Sequence, residues 1–499
     1  MIAAALILIL AVTGRAEAET ALQHREQGLT AMREGRSAEA VSHFESAVRL
    51  DPADAVSHDG LGVLLAQQGD VGAATRHFRA AVEARPEFAE ARFHLALALD
   101  RSGLVDEAIP QYYRAVQYQP DFLQARYLLA GACQKKGDVD GAEWLLRDVV
   151  SRAPGFAEAR HNLGLLLQAK QDPAGAVEQL RAASGLEPRN ARTLLALGIA
   201  LAERQQDTEA AAVLRKAAQL DPSNPETHYN LALALATGGS EAEAEVEFRE
   251  AVRLKPDYGP AHRGLGVNLM HSGKLPESLI ELQRAVQIDP TDAEAVNNVG
   301  LVFLRMNNTS AAIEAFERAV RLQPTLIKAH NNLAQAYLRA GRREDSRRES
   351  RVSADLTAQE RGLGRTMILI HSARQRLARG EKTEAVAELQ EAARLTPAFA
   401  DAHYYLGTAL GNAPEAVAAF HKVLELNPAR GDAHLQLGIL YEAGGRLSAA
   451  LDEYRQALRL APCNVDAMRA MGRVMAARGD VEGSRTELAI ARALSATAR

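Results

Sequence analysis

The stretch Ala293–Pro324 reads AEAVNNVGLVFLRMNNTSAAIEAFERAVRLQP. Its apolar residues follow a helical period that one polar turn interrupts. Val296, Val299, Leu301, Val302 and Phe303 fall on a first amphipathic helix, Met306 to Thr309 form the turn, and Ala312, Ile313, Phe316, Ala319, Val320 and Leu322 fall on a second. Pro324 stops that second helix because it has no backbone N–H to donate. A pair this short cannot bury its apolar faces alone, so it requires neighbours of its own kind.

Those neighbours fill the chain. Pro52, Pro86, Pro120, Pro154, Pro188, Pro222, Pro256, Pro290 and Pro324 share one 34-residue register, and Pro397, Pro428 and Pro462 resume it after a slip. With each unit counted from its equivalent of Ala21, the eighth residue is always Gly or Ala, from Gly28 and Gly62 to Gly438 and Gly472. The twentieth is Ala or Ser, from Ala40 to Ser484. Four residues later stands a large side chain such as Phe44, Tyr112, Leu180, Phe316 or Tyr454. Small residues let two helices cross near the short end of the interaxial range, about 8 Å, and the large one fills the space they leave.

Period, small positions, large position and proline together resemble the tetratricopeptide repeat (TPR) family, over fourteen units from Ala21 to the C-terminus. The resemblance implies an all-α fold, a right-handed superhelix (α-solenoid) of about 14 helix-turn-helix repeats. It also implies that first helices line a concave groove in which an extended segment of a partner protein lies. Position six points into that groove in the family, and the repeats of O-linked N-acetylglucosamine transferases carry Asn there. Here position six is Asn162, Asn230, Asn298 and Asn332 in repeats five, seven, nine and ten. A carboxamide donates and accepts, so such a row suits a peptide backbone; the alternative is a polar face that tolerates solvent. The likeness to the transferases ends with the repeats, because no residues remain for a catalytic half.

Family members that grip a C-terminal carboxylate take basic residues and Asn from three successive repeats. Arg263, Asn298 and Lys328 match that pattern, whereas Val267 and Asn332 depart from it. The competing reading is a solvated charged face.

The remaining composition narrows the function. A net charge of -5 with pI near 6.3 and interspersed charges gives no basic stripe for nucleic acid. An aromatic content of 5% leaves no room for a sheet domain. No C-x-x-C, phosphate loop, haem motif or G-x-S-x-G elbow occurs, so no catalytic residue and no cofactor is expected, and the protein reads as a non-enzyme. His24, His58, His228, His262, His330, His403 and His434 share position four. Equivalent positions lie about 10 Å apart, whereas zinc ligands must converge to about 2 Å from one ion, so this ladder is not a metal site. It reads as a wedge between helices with its ring edge exposed. Cys133 and Cys463 are too few and too distant for a disulfide framework, and Cys133 takes an apolar core slot.

Ile2–Val12, IAAALILILAV, is too short for the roughly 20 apolar residues of a membrane span. With Ala16-Glu17-Ala18 it reads as a signal peptide, residues 1–18, cut after Ala18; an uncleaved leader or a misplaced start is the alternative. The mature chain would be exported, periplasmic or extracellular, without membrane insertion. Repeats one to ten then occupy 19–358, an irregular linker 359–365, and repeats eleven to fourteen with a capping helix 366–499. The break is signalled by Ser346, Ser350 and Ser353, by Ala358 in the proline slot and by five extra residues, Arg361 to Arg365. It reads as a hinge freed by Gly362 and Gly364, or as an Arg-rich docking surface. The function expected is a protein-binding scaffold, the alternative an accessory subunit of an envelope export or polysaccharide-secretion assembly.

Overall fold

The computed structural model describes residues 20–495, with side chains to Ala491. Among them every regular element is an α-helix and no strand occurs, as the residue pattern requires. The expected leader lies outside the described residues. In repeat nine the pair is Ala293–Arg305 and Thr309–Leu322. Each helix starts on a side-chain cap: Asp292 accepts from the Ala295 amide at 2.9 Å and Asn308 from that of Ala311 at 3.2 Å. Between them Asn307 takes φ 61°, where most repeats place a glycine such as Gly341. That left-handed residue lets the Asn308 amide return to the Phe303 carbonyl at 2.9 Å and closes the first helix.

The seam between helices is the small-against-large contact. Phe316 is fully buried, and a Cβ placed on Gly300 would stand 2.6 Å from its ring. The same phenylalanine joins Leu304, Ile313, Leu333 and Tyr337 in one cluster, so repeats nine and ten share a single core. Each repeat therefore seals its neighbour.

The described residues divide into two compact units, those up to Pro154 together with those from Leu410 onward, and Gly155–Ala409. These units do not follow the expected division at 359–365. That stretch is no irregular linker either: Arg343–Ala378 is one helix of 36 residues that passes through Gly362 and Gly364. The cause is visible in the sequence, because Ala358 stands where a proline would have ended the helix. Two glycines cost only about 1 kcal/mol each in a helix interior, too little to break it. Ser353 and Thr366 are buried at either side of a middle, 354–365, that buries nothing. Where an apolar residue would seal repeat ten, Ser353 donates to Asn331 Oδ1 at 2.7 Å.

A second correction concerns the cysteines. Cys133 is a buried core residue, but it is bonded to Cys463, 330 residues away, with Cα atoms 6.1 Å apart. Separation in sequence is no guide here because the fourth repeat and the turn before Val465–Ala477 meet inside one unit. Two further bonds hold that seam. Tyr113 donates to the Pro462 carbonyl at 2.6 Å, and the Cys463 amide donates at 2.7 Å to Asp138, the cap of Val139–Arg152. Burial pushes the Asp138 carboxyl up, against the pull of its bonds from the Gly141 and Cys463 amides.

Two outcomes are expected. Phe316→Ala should lower stability by about 3–5 kcal/mol, read from the urea midpoint, because the ring leaves a cavity that two repeats line. Cys463→Ser should cost about 2–4 kcal/mol, and reductant should reproduce that loss in the parent while leaving the variant unchanged.

Candidate functional site

In the repeats with His or Arg at position four, that side chain ties the first helix to its surroundings, whereas repeats six and nine carry Leu194 and Val296 there. The His262 ring places Nε2 3.1 Å from the Pro256 carbonyl and Nδ1 2.7 Å from Glu281. His228 and His330 repeat the arrangement with Pro222 and Glu247, and with Pro324 and Glu349. Arg126 does the same work, donating to the Pro120 carbonyl at 3.1 Å and to Asp148 at 2.9 Å while fully buried. These rings were expected to show an edge to solvent; His58, His228, His262 and His330 are instead buried. Their nitrogens lie within hydrogen-bond distance of the proline carbonyl in the turn that precedes each first helix.

With the staple on the inner side, the opposite side of each first helix is left to carry function. Along repeats seven to nine it opens a cavity of about 350 Å³, whose lining includes Tyr229, Leu233, Arg263, Val267, Glu294 and Asn298. The Glu294 carboxylate is the centre of the charged part. Lys328 donates to it at 2.6 Å and Arg263 at 2.8 Å, and Arg263 also reaches Asp292 at 3.4 Å. The Lys328 hydrogen bond, with the charges of Lys328 and Arg263, holds the Glu294 carboxyl below the usual range despite partial burial. Burial pushes the Tyr229 phenol up, against the pull of the neighbouring Arg263.

The residues selected from sequence are therefore brought together only in part. Arg263 and Lys328 meet on Glu294, and Asn298 lines the same cavity as Arg263 and Glu294. Asn332 donates to Asn297 Oδ1 at 2.9 Å one repeat along. Asn230 turns back to the Glu226 carbonyl of its own helix at 2.8 Å. Asn162, half-buried, stands two repeats further towards the N-terminus. Sequence reasoning missed Glu294, Asn297 and Tyr229. Glu294 was within reach, since it holds the same position in repeat nine as Lys328 in repeat ten.

Models of the tetratricopeptide repeat match residues 25–74, 60–121, 229–293, 299–350, 409–465 and 435–498, with further repeat matches at 200–239, 373–412 and 101–165. The protein belongs to the tetratricopeptide repeat family. Among solved structures, this TPR chain is similar to MamA (41-end) from Desulfovibrio magneticus RS-1, at 25% identity over 34% of this chain and 94% of that one, with a TM-score of 0.31. It is similar to YrrB, described as a TPR protein with an unusual peptide-binding site, at 22% identity over 37% and 95%, with a TM-score of 0.32. It is also similar to the human IFIT1 dimer with m7Gppp-AAAA, at 20% identity over 81% and 90%, with a TM-score of 0.36. A search of curated proteins gave no match.

In the other unit of the TPR chain a cavity of about 540 Å³ lies beside the disulfide, between Trp144 and Arg469. Its cations are held by neighbours, Arg147 by Glu143 and Arg469 by Asp466. Among the described residues no group of three or more His, Cys, Asp or Glu is placed to hold a metal, and no helix is long and apolar enough to cross a membrane.

The staples give a pH dependence. Burial disfavours the His262 cation, but the Glu281 carboxylate and the Pro256 carbonyl outweigh it and raise its pKa. A raised value stabilises the fold fully below the unfolded histidine pKa of about 6.5 and loses that contribution as pH rises through the folded value. Between about pH 6 and pH 8 the parent should therefore lose more stability than His262→Gln, read from paired urea titrations.

Proposed function

We propose that the protein is a non-catalytic scaffold that holds an extended segment of a partner protein along the first-helix face of Gly155–Ala409. The observation that carries this reading is the cavity at Tyr229, Leu233 and Asn298, an apolar floor with a carboxamide at its edge. An extended peptide needs that combination: a recess for a side chain, and groups that pair with the backbone beside it. The Asn332–Asn297 bond supports it, since the buried Asn297 anchors the half-buried Asn332 amide, which retains capacity for a second partner.

The reading includes export. The leader Ile2–Val12 motivates it, and the Cys133–Cys463 disulfide supports it, because such bonds persist in oxidising compartments. The accessory-subunit reading has one observation in its favour. Val246 and Ile280, equivalent residues on the second helices of repeats seven and eight, are each 64% exposed. An assembly that packs against second helices would cover them.

Protein beginning at residue 19 should capture a partner from an envelope extract. The variant with Asn162, Asn230, Asn298 and Asn332 replaced by Ala, shown to be equally helical, should lose it. Retention by both proteins would remove the carboxamides from the site.

A further inference from the structure

The first helices of the Gly155–Ala409 unit differ in charge along their row. In repeats eight to ten, Gly259–His271, Ala293–Arg305 and Ile327–Arg339, Arg263, Arg305, Lys328 and Arg339 stand against one carboxylate, Glu294. In repeats five to seven, Ala157–Ala169, Ala191–Glu203 and Pro225–Thr237, the exposed charges are Glu158, Glu203, Glu226 and Arg192. Arg160, the other cation there, is turned to the second helix by its bond to Gln179. A chain of net charge -5 has thus gathered cations on one stretch of this face and carboxylates on the next.

The cations of repeats eight to ten are not equally engaged. Arg263 and Lys328 share Glu294. Among the described residues Arg305 and Arg339 have no carboxylate partner: Arg305 donates to the Met270 carbonyl at 2.7 Å and Arg339 to the Leu304 carbonyl at 3.5 Å. Those carbonyls belong to the last turn of the preceding first helix, whose partial negative charge favours a cation. Two equivalent guanidiniums are thereby held one repeat apart with most of their donors unused. Beside Arg339, Leu338 is 59% exposed, because the long helix that follows does not return to cover it as the next repeat covers Leu304.

We infer that this stretch docks an acidic extended peptide segment, with carboxylates on Arg305 and Arg339 and an apolar side chain on Leu338. The carboxylates of repeats five to seven receive the basic end of the same segment, so its direction is fixed. The inference rests on the groove reading above and names its ligand. A single-stranded nucleic acid would use the same cations but also needs aromatic platforms for its bases. Phe303 and Tyr337, the aromatics of these three helices, are both packed in cores.

The test is fluorescence anisotropy on the full chain. The probe is a labelled peptide alternating Glu and Leu in one half and Lys and Ser in the other. Its controls are the same peptide with Gln for Glu, and a single-stranded oligodeoxynucleotide of equal negative charge. The acidic peptide should bind about tenfold more tightly than its Gln form, an advantage that shrinks at high salt. Arg305→Gln with Arg339→Gln should abolish the advantage and leave the affinity for the Gln peptide unchanged. Equal affinity for both peptides, or tighter binding of the oligonucleotide, overturns the inference. If both peptides bind alike and the four-Asn variant releases both, the groove reading survives and only the charge assignment falls. If neither peptide binds, both fall.

Discussion

The contact on which this structure depends is the entry of one large side chain into the gap left by a residue with little or no side chain, as Phe316 enters at Gly300. It sets how closely two helices cross, and by joining Leu333 and Tyr337 to the same cluster it sets how the next pair is placed. A two-helix unit has no core of its own, so this one spacing is transmitted along the chain. Its functional consequence is register. Side chains at equivalent positions come within bonding reach one repeat apart, as Lys328 and Glu294 do, and so do those one position off register, as Asn332 and Asn297 are.

The staples at position four divide the labour between the faces of a first helix. His262 and Arg126 engage the proline carbonyls of the inter-repeat turns on the inner side with a ring or a guanidinium, which is why His and Arg interchange there. The outer side is then free of that structural duty. It is on this outer side that the cavity at Tyr229 and Asn298 and the unmatched cations Arg305 and Arg339 occur.

The repeat itself was legible in the sequence because its signals are local and recur: proline stops, small positions and a large residue at fixed offsets. The long helix Arg343–Ala378 was half legible. Ala358 in a proline slot announces continuity, but two glycines and a run of serines drew the reading to a hinge. The disulfide was not legible, since nothing local reports that the neighbourhoods of Cys133 and Cys463 meet. Within the site, the positions of Asn298, Arg263 and Lys328 could be read from the register. The engagement of Arg263 with Lys328 through Glu294 could not, because it depends on side-chain reach between repeats.

Which face meets the partner is the central claim, and two residues of similar exposure test it. Leu338 lies on a first helix at 59% exposure and Ile280 on a second helix at 64%. A photo-crosslinking side chain placed at each position in turn, with the bound partner present, reads the face directly. Capture from position 338 and none from position 280 is the result this account predicts. Capture from 280 with none from 338 would contradict it and assign the interaction to the second helices.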